Sequence, residues 1–218
     1  MDFSFLGEYS GFFFKGAKFT LILAFFTVII GSLIGLILSL MKLSNKKILR
    51  FVSSIYIEFI RGTPVLVQLY IIYYGLPAIG IKLPDLVAAT ITMSINSGAY
   101  VAEIIRAGIN AVDKGQTEAA RSLGMGSSMT MANVIIPQAF KNILPALGNE
   151  FIVVVKESSI VSVIGIHELM YNANTVRGTT FQPFEPLIVA ALFYFIITFS
   201  LSKLLGIAER RMNKSDTN

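Results

Sequence analysis

Between Lys18 and Lys42 lies an unbroken apolar run, Phe19 to Met41, without a charged side chain. As a helix rising about 1.5 Å per residue, it covers the roughly 30 Å hydrocarbon core of a bilayer with some tilt. A membrane-spanning helix is therefore expected over 19–41. Composition agrees: 54% of the residues are hydrophobic and 14% charged, whereas a water-soluble domain carries roughly 25% charge. Cysteine is absent and histidine occurs once, which argues against disulfides, thiolate zinc sites and a cysteine nucleophile, and no metal site is expected. The net charge of +5 comes from basic residues at the ends of apolar runs rather than from a patch with interleaved aromatics, so nucleic acid is not an expected partner. The first 18 residues lack a basic start, an apolar run and a small-residue cleavage site, so no cleavable signal is expected there. Phe3, Leu6, Tyr9 and Phe13, with Lys15 and Lys18, predict a short separate helix at the membrane interface.

Further apolar runs predict spans over 63–80, 86–105, 143–164 and 187–207. The second follows a run interrupted by Glu58 and Arg61, and its membrane part is expected to start near Thr63. The result is an all-α membrane protein, a single domain over 1–218 with five transmembrane helices, no internal repeat and no linker. Counting the Lys and Arg residues in the connections and Lys203 near the end of the last span, thirteen fall on the side of Lys42, Lys46, Lys47 and Arg50, and four (Lys15, Lys18, Lys82, Arg177) on the other. The positive-inside rule then places the N-terminus outside, and the 106–142 connection and the C-terminus in the cytoplasm.

That connection is polar where the rest of the chain is apolar. Asp113 followed by Gln116 has the spacing of a helix-starting capping pair, and Gly124 can supply the left-handed residue that ends the helix. Ser127 or Ser128 can cap a second helix toward Val134, and Pro137 with Pro145 limits how the fourth span begins. A cytoplasmic helix–turn–helix is expected. Ala119 and Ala120 are small enough for close approach by another backbone, and Leu123, Met125 and Met129 are apolar groups without an evident home. Burial against a partner protein and an amphipathic loop lying on the membrane surface both suit these residues.

Glu118-Ala119-Ala120, then Gly124, then Val134-x-Ile136-Pro137 resembles the EAA loop of permease subunits of ATP-binding-cassette importers. Val134-x-Ile136-Pro137 departs conservatively from the usual Ile-x-Leu-Pro. Glu58 to Pro64, Asn96 to Ile109, Gly148 to Phe151 and Lys156 to Ser159 are similar to the polar amino acid permeases of the histidine, glutamine and arginine type. The resemblance implies a type I importer permease in a bacterial (inner) cell membrane, surrounded by lipid. It implies pairing with a second permease subunit, identical or related, with ATP-binding-cassette ATPase subunits and with an extracytoplasmic substrate-binding protein. It also implies that Glu118, Ala119, Ala120, Leu123, Gly124 and Met125 couple to the ATPase. The chain has no Gly-rich Lys-Ser/Thr phosphate loop, so ATP is expected on the partner subunit, and no cofactor or catalytic residue is expected here.

A charge at the bilayer centre costs on the order of 2.5–3.5 kcal/mol, so Glu150, Lys156 and Glu157 in the fourth predicted span need partners or water. One reading is a structural ion pair. The other is that Asn149, Glu150, Lys156, Glu157 and Ser158, with Asn96 and Ser97 of the third span, line a cavity for an amino acid zwitterion, carboxylates meeting its ammonium and amides or hydroxyls its carboxylate. Glu58 with Arg61 and Glu103 with Arg106 stand at the spacing of helical ion pairs, and His167 reads as a packing or solvated side chain. Two other functions compete. A membrane-embedded hydrolase would need a Gly-x-Ser-x-Gly or His-Glu-x-x-His arrangement, and neither occurs. An ion-coupled secondary carrier could use Glu150 and Lys156 as a proton relay, though such carriers are commonly built from internal repeats.

Overall fold

A computed structural model describes residues 1–214, and no strand occurs among them. The first helix, α1, is Leu6–Leu43, 38 residues long. It absorbs the separate interfacial helix expected from the first residues. The reason is tertiary: Phe5, Phe13 and Ala17 are buried against Leu169, Ala173, Val176, Val189 and Ala190 from the C-terminal part of the chain, so these aromatics find protein instead of headgroups. Farther along, Phe25, Phe26, Leu33, Ile37 and Leu40 remain more than half exposed, the surface a lipid-facing helix presents.

Helix α2, Lys47–Arg61, follows a short turn, and α3, Val65–Tyr70, continues through a π-helical turn, Ile71–Gly75, to Leu76–Ala78. The α2 and α3 axes meet at 104°. Helix α4, Asp85–Asn110, packs along α1. Small residues set that seam. A β-carbon on Gly31 would stand 3.0 Å from Ser97 Cβ, and one on Gly35 2.6 Å from Val101 Cβ, so this glycine pair at i, i+4 lets two backbones approach as larger residues could not. Leu38, Ile57 and Ala102 close the same end of the seam with α2.

Helix α5, Lys114–Ser122, and α6, Ser127–Thr130, come next. A π-helical turn, Met131–Ile135, joins α6 directly to α7, Ile136–Glu157. Pro137 sits in the first turn of α7, Pro145 lies within it, and neither breaks the path, because Ile136 keeps helical dihedrals of −59° and −46°. Helix α7 thus opens with Pro137 in its first turn, directly after the π-helical turn. A 3-10 stretch, Ser158–Ile164, ends at Gly165 with φ of 84°. Helix α8, Leu169–Thr180, and α9, Glu185–Lys214, complete the described chain.

The central core joins Leu23 and Ala24 of α1, Leu69 of α3, Ala89 and Met93 of α4, Val154 and Val155 of α7, and Val161 with Ile164 beyond it. Among the described residues, α1 and α9 are long and apolar enough to cross a membrane, and α2 with α3 qualifies as one bent span. Among the polar residues that dilute the hydropathy of α4 and α7 are Asn96, Ser97, Asn149, Glu150, Lys156 and Glu157.

Candidate functional site

Glu150 is the buried acid of α7, with 8% of its surface exposed. Its Oε1 accepts a hydrogen bond from Ser97 Oγ at 2.8 Å across the α4–α7 contact. Two of the residues expected at a cargo site are thus in direct contact, and Gly31 of α1 stands against Ser97, where a β-carbon would lie 3.0 Å from its Oγ. Asn149 and Lys156 are exposed and Glu157 is half-buried; no ion pair ties either charge among the described residues, while Ser158 is buried and spends its hydroxyl on Val155 O at 2.8 Å. Ser158 therefore turns into its own helix instead of offering a donor. Asn96 is also buried, and its Nδ2 donates to Gln68 Oε1 at 3.1 Å. Among the residues expected at a cargo site, the structure joins Ser97 to Glu150, whereas Asn96 and Ser158 spend their hydrogen bonds elsewhere.

The polar connection has well-defined local geometry. Asp113 caps α5 by accepting the Gly115 N–H at 2.7 Å, but Gln116 does not reciprocate. It accepts from Gln138 Nε2 at 3.2 Å instead, tying α5 to α7. The helix ends in a Schellman turn: Met125 N–H bonds to Ala120 O at 3.1 Å and Gly124 N–H to Arg121 O at 3.0 Å, with Gly124 at φ +83°. Helix α6 starts at Gly126 without a side-chain cap, so neither Ser127 nor Ser128 caps it; Ser127 Oγ accepts from Arg121 instead. Ala120 is buried in its own chain, whereas Glu118, Ala119 and Gly124 are exposed and Met125 half-buried. Leu123 is 84% exposed and Met129 55%. A leucine this bare on a tight turn is an unsatisfied apolar surface.

The other charged pairs resolve differently. Glu103 bridges Arg106 at 2.6 Å and Lys42 of α1 at 2.7 Å, an ion triad pinning α1 to α4. Arg61 lies over the Tyr100 ring at 5.3 Å, a cation–π contact in place of the expected bridge to Glu58. His167 stacks on Tyr171 at 4.4 Å, the packing role its isolation implied.

Residues 9–214 match the family described as binding-protein-dependent transport system inner membrane component. The chain belongs to that family. It is 42% identical over 217 residues to the arginine transport system permease protein of Bacillus subtilis (strain 168), covering 99% of each chain. It is 45% identical over 199 residues to the putative glutamine transport system permease protein of Rickettsia bellii (strain RML369-C), covering 91% of each. Among solved structures, an amino acid ABC transporter crystallised with histidines superposes with a TM-score of 0.95 at 55% identity, over 97% of this chain and 99% of that one. This permease-family chain is thus an amino acid importer subunit, and the solitary ion-coupled carrier is set aside, because these relatives are permeases of ABC systems.

Four residues that position the helices escaped sequence reading. Gly31 and Gly35 carried a legible small-residue signal, while Gln68 and Glu168 carried none, since their roles depend on partners distant in sequence.

Proposed function

We propose that this permease crosses the membrane five times, with its N-terminus outside and its C-terminus and the 106–142 connection in the cytoplasm, as a single domain over 1–218. Two copies, or this chain and a related one, form the translocation path, and an extracytoplasmic binding protein delivers the amino acid. ATP is bound and hydrolysed on separate subunits. The bare Leu123 on the Gly124 turn, flanked by exposed Glu118, Ala119 and Met129, carries the reading: it is an apolar knob on a rigid polar loop, suited to a cleft on an ATPase subunit. Closure of two such subunits would draw the loops together, and the helices continuous with them would turn that displacement into opening of the cavity.

The test is uptake and ATP hydrolysis in a complex reconstituted with ATPase and binding protein. Gly124→Asp places a β-carbon at φ +83°, and Glu118→Arg reverses the loop's charge; each leaves the permease in the membrane and detaches the ATPase or uncouples hydrolysis from uptake. Full transport in both variants overturns the docking role.

For cargo, Glu150 held by Ser97 supports recognition of an amino or cationic group, with Asn149, Lys156 and Glu157 completing the site. Asn96 contributes through Gln68 contact and Ser158 through helix geometry. Carboxylates in the cavity favour a cationic or amide side chain. Glu150→Ala is expected to raise the KM for uptake by about tenfold or more, the loss of one charge-assisted contact; an unchanged KM removes Glu150 from the cargo site.

A further inference from the structure

The 104° elbow between α2 and α3 leaves backbone carbonyls to be satisfied at the end of α2. Glu58 O accepts the Gly62 N–H at 2.9 Å, and Phe59 O accepts from Thr63 Oγ1 at 2.9 Å. Ile60 O should next receive the N–H four residues on, but that residue is Pro64, which has none. Gln68 fills the gap: its Nε2 lies 2.8 Å from Ile60 O, 3.0 Å from Thr63 O and 2.9 Å from Thr63 Oγ1. The other end of the same amide, Oε1, accepts from Asn96 on α4. Gln68 and Asn96 are each only 6% exposed, so no water competes, and the amide's donors and acceptor are all engaged.

Asn96 immediately precedes Ser97, whose hydroxyl holds Glu150. Two adjacent α4 residues therefore face opposite partners, one the elbow and one the buried acid. Tyr56 of α2 adds a bond to Ile95 O at 3.0 Å, so three consecutive α4 residues connect α2, α3 and α7. We propose that Gln68 is a positioning residue for transport: it fixes the α2–α3 elbow and, through Asn96, the α4 turn from which Ser97 holds Glu150. The claim on transport rests on the permease reading; the claim on the elbow does not.

The chain has no cysteine, so a spin-label pair can be introduced cleanly at Phe51→Cys and Ile79→Cys, positions 66% and 71% exposed. Pulsed electron resonance distances and amino acid uptake are then measured on the same complex, reconstituted with ATPase and binding protein. Gln68→Glu keeps the shape but removes both N–H donors and sets a carboxylate against three oxygens. It is expected to shift or broaden the α2–α3 distance and to lower uptake turnover by about tenfold or more. Gln68→Leu, which removes the polarity without adding charge, gives the same result if the first variant does not reach the membrane. Leu69→Ala, a buried neighbour, lowers thermal stability without moving the distance, which separates positioning from packing. Asn96→Ala leaves the Gln68 donors in place and lowers turnover with the elbow distance retained. A wild-type distance distribution in both Gln68 variants overturns the elbow role, and wild-type turnover in Asn96→Ala overturns the link to the site. A distance that moves in a complex whose wild type carries no amino acid supports the elbow and overturns the permease reading instead.

Discussion

Pro64 and Pro137 meet the same local problem and reach opposite outcomes. Each removes one N–H from a helical path. At Pro64 the chain turns through 104°, and Pro64 itself has an extended ψ of 135°. At Pro137 the helix continues, with Ile136 helical directly before the proline. The flanks explain the difference. Gly62 caps α2 and gives the chain a cheap exit, and the buried Gln68 amide then stabilises the exit by serving Ile60 O and Thr63 O. No glycine precedes Pro137 between Met129 and Ile136. There the turn widens instead: Ile136 N–H reaches back five residues to Met131 O, and Gln138 Nε2 serves Val134 O at 3.0 Å. Pro77 repeats this second solution, following the π-helical Ile71–Gly75 at the same offset that Pro137 follows Met131–Ile135. A proline in a membrane helix thus frees a carbonyl, and the available amides and glycines decide whether the chain bends or widens.

The largest expected effect breaks that contrast from the bent side. Pro64→Ala returns the N–H that Ile60 O lacks, so backbone competes with Gln68 for the same oxygen and the elbow relaxes toward a continuous helix. Uptake by the reconstituted complex should fall by about tenfold or more, equivalent to about 1.4 kcal/mol or more, with the permease still in the membrane. Pro137→Ala acts on a helix that already runs straight through. Its uptake should stay within about twofold of wild type and its stability within about 1 kcal/mol, roughly 2–4 °C in Tm for a chain of this size. Equal losses in the two variants would show that the joints work alike and that flanking residues do not set their geometry.

How far such differences are legible in sequence depends on whether the deciding partner is local. The run from Phe19 to Met41 was readable because burial in lipid acts on composition alone, and α1 spans it whole. The Gly124 turn was readable because left-handed backbone is a one-residue property. Glu150 and Ser97 were recognisable as polar residues out of place, yet nothing local says that they bond to each other. Gln68 looks like an ordinary polar residue in an apolar helix until Pro64 and Asn96 are placed around it. Asn96 is likewise recognisable as a polar residue out of place, but only the fold shows its amide nitrogen turned to the elbow. The expected serine cap is not used: α6 follows Gly126 without a side-chain cap, and Ser127 Oγ accepts from Arg121 instead.

A third break, between the 3-10 stretch and α8, sharpens the comparison through its chemistry. The elbow is sealed by an amide, which has no proton to gain or lose near neutral pH; this one is sealed by Glu168. Its fully buried carboxylate accepts the N–H groups of Met170 at 2.9 Å and Tyr171 at 2.6 Å, capping α8, and the Tyr194 hydroxyl of α9 at 2.8 Å. Leu169 N–H bonds to Thr20 Oγ1 at 3.2 Å, so the cap also lashes α8 to α1. Burial pushes the Glu168 carboxyl above its ordinary value of 4.5, and the three donors oppose that push without cancelling it. The folded chain then holds this proton more tightly than the unfolded chain. Between the ordinary and the raised value the native state binds more protons, so stability declines as pH rises through that window and is flat above it. The Tm of the purified permease should fall slightly across that range. Glu168→Gln, which cannot titrate and turns an NH₂ toward the donors, should lower Tm at every pH and remove the slope. A slope as steep in Glu168→Gln as in wild type would place the titration elsewhere and leave the amide-sealed and carboxylate-sealed breaks equivalent in their response to pH.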